Sequence, residues 1–261
     1  MGKTLLRDET IPEAPSVDPA EIDKFRALAA DWWSPTGKFA PLHKFNPVRL
    51  GFIRDRTVSH FGLNDASRTP LKGLRILDIG CGGGLVAEPL ARLGAQVTGV
   101  DAGDSNIKAA MVHADSVGVT VDYRTGTVEG LIAAGEKPFD IVLTLEVVEH
   151  VADPARFLAD CAGLVKPGGL MLVATLNRTA KAFALAIVGA EHVLRWLPAG
   201  THDWSKFVTP EEARAAVVGA GLVVEPAIGV SYSPLADRWS ISSDTGVNYM
   251  LVATRKAEQT A

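Results

Sequence analysis

Leu77-Asp78-Ile79-Gly80-Cys81-Gly82-Gly83-Gly84 closes an apolar run that begins at Arg75 and precedes a helical pattern from Leu85 to Leu93. Four glycines in the five positions from 80 to 84 cost backbone entropy on folding and fill no core, an arrangement that makes sense where bare backbone must approach another molecule. A glycine turn from strand into helix places that molecule over the carboxyl ends of parallel strands. Asp101 stands 21 residues beyond Gly80, at the end of the next apolar run, and its carboxylate can accept hydrogen bonds from two ribose hydroxyls.

Outward from this loop, apolar runs alternate with helical patterns. The pattern predicts strands at Arg75 to Ile79, Gln96 to Asp101, Val121 to Thr125, Phe139 to Leu145 and Leu170 to Leu176. Helices are expected at Leu85 to Leu93, Asp104 to Val117, Val128 to Ala134 and Asp153 to Leu164. Such alternation specifies an α/β fold with a doubly wound, Rossmann-like parallel sheet and right-handed crossovers. Pro167-Gly168-Gly169 marks the turn into the fifth strand. Thr209-Pro210 opens a further helix by the cap-plus-proline rule, ending at Gly219 or Gly221, and Leu222 to Val230 and Val247 to Thr254 are candidates to extend the sheet.

On the amino-terminal side, Asp18-Pro19 opens an amphipathic helix to Trp33, carrying Ile22, Phe25, Ala29 and Trp32 on one face. A second helix is expected from Pro47 to Phe61. The stretch between them reads as an aromatic and basic loop with Trp32, Trp33, Phe39, His43, Lys44 and Phe45, either packed on the core or touching a ligand. The expected organisation is a tail over 1–18 and one domain over 19–257. That domain comprises helices (19–61), a core sheet (74–177), an inserted helical lid (178–206) and a closing helix and strands (207–255).

Composition narrows the partners. Of 261 residues, 47% are hydrophobic, and 26 Lys and Arg face 30 Asp and Glu for a formal charge of -4. That balance argues against nucleic acid held by phosphate neutralisation and favours a small ligand. Cys81 and Cys161 suit neither a disulfide framework nor a zinc site. Met1 to Asp18 lacks the apolar core of a secretory leader, and the longest apolar run, Ala182 to Ala190, is about half of the ~20 residues a spanning helix needs. The expectation is a cytoplasmic protein.

The glycine loop alone serves a dinucleotide or S-adenosylmethionine equally well. Gly80, Gly82 and Gly84 are spaced G-x-G-x-G, without the third glycine of the dinucleotide fingerprint. Asp78 would repel a pyrophosphate, which wants bare N–H groups, whereas it suits a donor that carries a sulfonium and an α-ammonium. Gly80, Gly82, Asp78 and Asp101 are therefore read as binding S-adenosylmethionine. At the same strand edge lie Glu146, Glu149 and His150. Two carboxylates and an imidazole there can hold Mg²⁺, or His150 can act as general base on a phenol. On a purely structural reading, Glu149 caps the next helix and His150 is hydrogen-bonded within the fold.

With those residues in view, the chain resembles the ubiquinone-biosynthesis O-methyltransferase family from about Glu21 to Val252. The part shared by class I methyltransferases is Leu77 to Gly84 with Asp101. More specific are Trp32-Trp33 with Gly37, Phe39, Pro41-Leu42-His43, Asn46-Pro47 and Arg49-Leu50. Thr175-Leu176-Asn177-Arg178-Thr179, Gly189-Ala190-Glu191, Gly200-Thr201-His202-Asp203-Trp204 and Val247-Asn248-Tyr249-Met250-Leu251 complete the likeness. Leu145 stands where methionine is frequent, Ala182 where serine is common and His192 where tyrosine is common.

The resemblance implies methylation of phenolic oxygens in polyprenylated catechols, namely 2-polyprenyl-6-hydroxyphenol and 3-demethylubiquinol. It implies that Arg49, Gly80, Asp101 and Leu145 contact S-adenosylmethionine, and that Glu146, Glu149 and His150 bind Mg²⁺. A polyprenyl tail is insoluble, so the apolar segment over 178–206, with Lys181 and Arg195, is expected to be a lid that meets the inner face of the membrane; a buried substrate-domain helix is the alternative. Complexes with other ubiquinone-biosynthesis enzymes are a further expectation. The rival readings are a carbon-methylating or small-catechol enzyme, a non-catalytic S-adenosylmethionine-binding module and an NAD-dependent oxidoreductase.

Overall fold

The five predicted runs pair as parallel strands, and the central ones are apolar on both faces and covered on both. In the computed structural model, which describes residues 18, 21–22, 31–34, 36–37, 39–185, 203–233 and 235–257, they are β1 (Arg75–Ile79), β2 (Gln96–Asp101), β3 (Asp122–Thr125), β4 (Phe139–Leu145) and β5 (Val165–Leu176). With β6 (Leu222–Val224) and β9 (Asn248–Arg255) they form a seven-stranded sheet in the order β3-β2-β1-β4-β5-β9-β6. Only β9 runs against its neighbours, pairing Leu172 with Val252 on β5 and Val223 with Thr254 on β6. The order reverses between β1 and β4, and a switch point of that kind opens a crevice at the carboxyl ends of the strands.

Alternate side chains build two cores. Leu77, Val142 and Met171 face one side, where α4 (Val128–Ala133), α5 (Pro154–Gly163) and α6 (Pro210–Gly219) pack. Ile76, Ile141 and Leu172 face the other, against α1 (Ala40–Phe61) and α2 (Ala87–Arg92). A further helix, α3 (Asp104–Val117), begins directly after β2. Thr209 caps α6 in a full capping box with Glu212, as the cap-plus-proline pattern requires.

Four expectations change. The second amino-terminal helix starts at Ala40, so His43, Lys44 and Phe45 belong to α1 and not to a loop. Pro47 lies inside that helix, where it forgoes one backbone bond and the surrounding turns continue past it. The fifth strand starts earlier, at Val165, which pairs with Phe139; the ladder resumes at Leu170 opposite Ile141, leaving Pro167-Gly168-Gly169 as an irregularity within the strand. Pro226, unable to donate to a ladder, splits the run from Leu222 to Val230. Its second half becomes β7 (Gly229–Ser233), paired in a separate two-stranded sheet with β8 (Arg238–Ser242), which the sequence pattern missed.

The tail over 1–17, most of the helix expected from Asp18 to Trp33, and the lid residues 186–202, including Gly189, Ala190, Glu191, His192, Arg195 and Gly200 to His202, lie outside the described residues. Among the described residues no helix is long and apolar enough to cross a membrane.

Candidate active site

The glycine loop leaves β1 by hanging on its neighbour. Gly80 and Cys81 donate their N–H groups to the Val100 carbonyl at 2.7 and 3.1 Å. Gly80 has φ +73° and Gly82 φ +52°, left-handed values that suit glycine. A side chain at either would also collide: a Cβ at Gly80 runs into Val147, and one at Gly82 comes within 2.5 Å of the Trp32 ring. The cradle is thus one that only bare backbone can form.

Asp101 is locked from three sides. Its Oδ2 accepts from Gly82 N–H at 3.0 Å, and its Oδ1 accepts from Gly103 N–H at 2.8 Å and from Asn106 Nδ2 at 3.0 Å. Burial raises its pKa, and these donors oppose the rise. The aromatic segment packs on the glycine loop. Trp33 Nε1 donates to the Gly83 carbonyl at 2.8 Å, and Trp32 Nε1 to Asn106 Oδ1 at 3.0 Å. Trp32 stacks on Phe39 and Trp33 on His113, whose Nδ1 meets buried Glu88 at 2.9 Å.

Beneath the loop lies a dry group of charges. Asp78, on β1, is 2% exposed, and its Oδ2 has no hydrogen-bond partner. Burial pushes its pKa up to about 7, with Asp101 adding to the rise and Arg49 opposing it. Arg49, on α1, is also buried and donates through Nη2 to Asn46 Oδ1 at 2.9 Å, while Asn46 Nδ2 donates to the Leu85 carbonyl at 2.6 Å. Burial disfavours the Arg49 charge; Glu146 and Asp78 support it.

Past β4 the chain turns sharply. Leu145 is buried, and Glu146 follows with φ +57°, a left-handed conformation that costs a non-glycine residue roughly 1 kcal/mol. The turn sets Val147 against Gly80 and carries Glu149 and His150 on a short 3₁₀ turn, Val148–His150. Glu149 is 2% exposed; its Oε2 accepts from Thr175 Oγ1 at 2.7 Å, while its Oε1 is buried with no hydrogen-bond partner. Burial first, and then the charge of Glu149 beside it, raises the pKa of Glu146. His150 Nδ1 lies 3.1 Å from Glu21 Oε2. The helix-cap alternative for Glu149 does not hold, since Asp153 caps α5 by accepting from Arg156 N–H at 3.0 Å.

Of the set expected to hold Mg²⁺, Glu146 and Glu149 lie beside each other, while His150 faces Glu21. Glu149 is engaged with Thr175 and His150 with Glu21, and no group of three His, Cys, Asp or Glu side chains among the described residues is arranged to hold a metal ion.

Several neighbours of the site escaped the sequence reading. Asn106 and Thr175 had weak signals, one a polar residue in the first turn after Asp101 and the other a threonine ending an apolar strand. Glu21 had none, because nothing in an amphipathic pattern tells which distant residue a carboxylate will meet.

What the sheet order and the cofactor loop define together is a class I S-adenosylmethionine-dependent methyltransferase. A methyltransferase-domain family model matches residues 77–173. The fold is shared with magnesium protoporphyrin IX methyltransferase from Synechocystis PCC 6803 with bound SAH, at 17% identity and TM-score 0.62 over 91% of this chain and 95% of that one. A SAM-dependent methyltransferase from Thermotoga maritima is similar at 18% identity and TM-score 0.63, over 90% of this chain and all of the other. The ubiquinone biosynthesis O-methyltransferase of Maricaulis maris is 61% identical over 93% of this chain and 95% of its own length. That of Parvibaculum lavamentivorans is 60% identical over 92% and 94%. The chain belongs to the ubiquinone biosynthesis O-methyltransferase family.

Proposed function

We propose that this chain, as one methyltransferase domain over 19–257, methylates the phenolic oxygens of 2-polyprenyl-6-hydroxyphenol and 3-demethylubiquinol. The observation that carries the reading is the dry Asp78–Arg49 pair under the glycine cradle, with an unpartnered carboxylate oxygen on Asp78. Opposite charges held apart from water match the zwitterionic end of S-adenosylmethionine, and the Asp78 carboxylate would repel a diphosphate. Arg49 takes the donor's carboxylate and Asp78 its ammonium. Asp101, already oriented by Gly82, Gly103 and Asn106, keeps an acceptor site on Oδ2 for a ribose hydroxyl. Leu145 gives an apolar wall.

Bound S-adenosylmethionine supplies the electrophilic methyl group, its carbon–sulfur bond breaking as the carbon–oxygen bond forms while sulfur keeps the electron pair. The protein's part is alignment, exclusion of water and removal of a proton. A phenol with pKa near ~10 is a poor nucleophile at neutral pH, so His150 takes its proton as the bond forms. No step is assigned to Mg²⁺.

Membrane contact through 178–206 and handover to other ubiquinone-biosynthesis enzymes belong to the same reading. Phe183, Leu185 and Trp204, in the described part of the lid, are exposed, while Lys181 is paired with Asp244. Apolar surface is therefore what the described part of the lid offers a bilayer. The deciding assay is turnover on a short-chain prenyl catechol with and without chelator. Methyl transfer that survives chelation is expected; heat from NADH and none from S-adenosylhomocysteine in calorimetry would overturn the reading.

A further inference from the structure

Asn106, in the first turn of α3, is 3% exposed, and its side-chain amide is engaged at both ends. Its Oδ1 accepts from Trp32 Nε1 at 3.0 Å, and its Nδ2 donates to Asp101 Oδ1 at 3.0 Å. An indole N–H only donates and an ionised carboxylate only accepts, so one sense of the amide satisfies both neighbours. Turned over, the amide would set its oxygen against the carboxylate and its NH₂ against the indole N–H. Trp32, 74 positions away in the chain, therefore decides which way the amide faces.

Trp32 is itself fixed. It stacks on Phe39 with ring centroids 3.9 Å apart, and it covers Gly82 and Gly83 so closely that a Cβ at either would come within 2.5 Å of its ring. Ala109 packs against the same cluster, and Trp33 stacks on His113. Asn106, Ala109 and His113 lie on one face of α3, so the tryptophan pair grips both the glycine loop and the helix that follows Asp101.

We infer that Asn106 is a positioning residue for the ribose of the methyl donor, with its sense set by the Trp32 indole. The inference rests on Asp101 receiving that ribose. Gly103 N–H and Asn106 Nδ2 hold Oδ1 while Gly82 N–H meets Oδ2, which gives the acceptor site left on Oδ2 a fixed direction before the donor arrives. Binding then carries little cost of ordering the carboxylate. Without the indole N–H the amide can take either sense, and one of them repels Asp101.

The test is calorimetry on the full chain with S-adenosylhomocysteine and with a dideoxy analogue that lacks both ribose hydroxyls. Wild type should favour the parent ligand about 30-fold, as a hydrogen bond to a charged group allows. Asn106→Leu should weaken the parent about 10-fold and the analogue under about 2-fold, so that most of the preference is lost. Trp32→Phe keeps the ring on Phe39 and over the glycines and removes only the N–H; it should weaken the parent about 3-fold and the analogue under about 2-fold. The double variant should match Asn106→Leu within about 2-fold, because the indole acts on Asp101 through the amide. Equal weakening of both ligands would reduce Asn106 to a structural role and overturn the inference, and Trp32→Phe decides by the same comparison if Asn106→Leu does not fold. A full preference kept in both variants overturns the inference and leaves Asp101 on the ribose. Wild type that binds both ligands equally takes the ribose from Asp101 and the inference with it.

Discussion

Between Leu77 and Asp101 the cofactor cradle is made from one strand end, one turn and the next strand end, and backbone N–H groups do most of the holding. The acidic end past β4 is made from side chains of distant origin: Glu149 leans on Thr175, and His150 on Glu21, which Lys206 also grips. A cradle of backbone tolerates almost no added atom. An assembly of side chains tolerates change at one member, and the loss then falls on the chemical step. The two regions should therefore fail differently, one in donor affinity and the other in turnover.

The largest effect should come from Gly80→Ala. It forces a left-handed residue into Val147, costing enough to weaken S-adenosylhomocysteine about 100-fold in calorimetry. Near-normal affinity would break the contrast. His150→Ala should show the opposite profile in steady-state kinetics, a kcat about 100-fold lower with donor affinity intact.

Asp78 sharpens the comparison through pH. Its folded pKa, about 7 against an ordinary 3.8, lies on the raised side. Its contribution to the stability of the ligand-free protein is therefore complete below about 3.8 and lost as pH rises through about 7. Donor binding runs the other way, because the ammonium needs the ionised acid. Affinity for S-adenosylmethionine should rise about 10-fold from pH 6 to 8, and Asp78→Asn should flatten that profile while weakening binding at pH 8. A profile unchanged by the substitution would detach Asp78 from the ammonium. The smallest effect is expected for Thr175→Val, which leaves buried Glu149 Oε2 without its donor: a melting midpoint lower by about 3 °C and kcat down a few-fold.

The same contrast explains what could be read before the fold was known. The strands β1, β2 and β4 and the placement of Gly80, Asp78 and Asp101 follow from neighbours along the chain. The start of α1 was hidden because Pro47 looks like a helix opener, yet tertiary packing of Phe45 and Ile53 carries the helix through it. The second half of the run from Leu222 looked like more sheet, and β8 alternates polar and apolar over only five residues; they found each other only as a hairpin.

From its residues alone, this chain was committed to a parallel α/β sheet, a glycine turn over the first strand and an acid after the second. Those features depend on hydrophobic period and backbone freedom, both local properties. Which carboxylate faces the imidazole, and which hydroxyl donates to Glu149, was decided by tertiary structure. Contacts such as Glu21 to His150 join residues more than a hundred positions apart, and only the packed chain brings them within hydrogen-bonding reach.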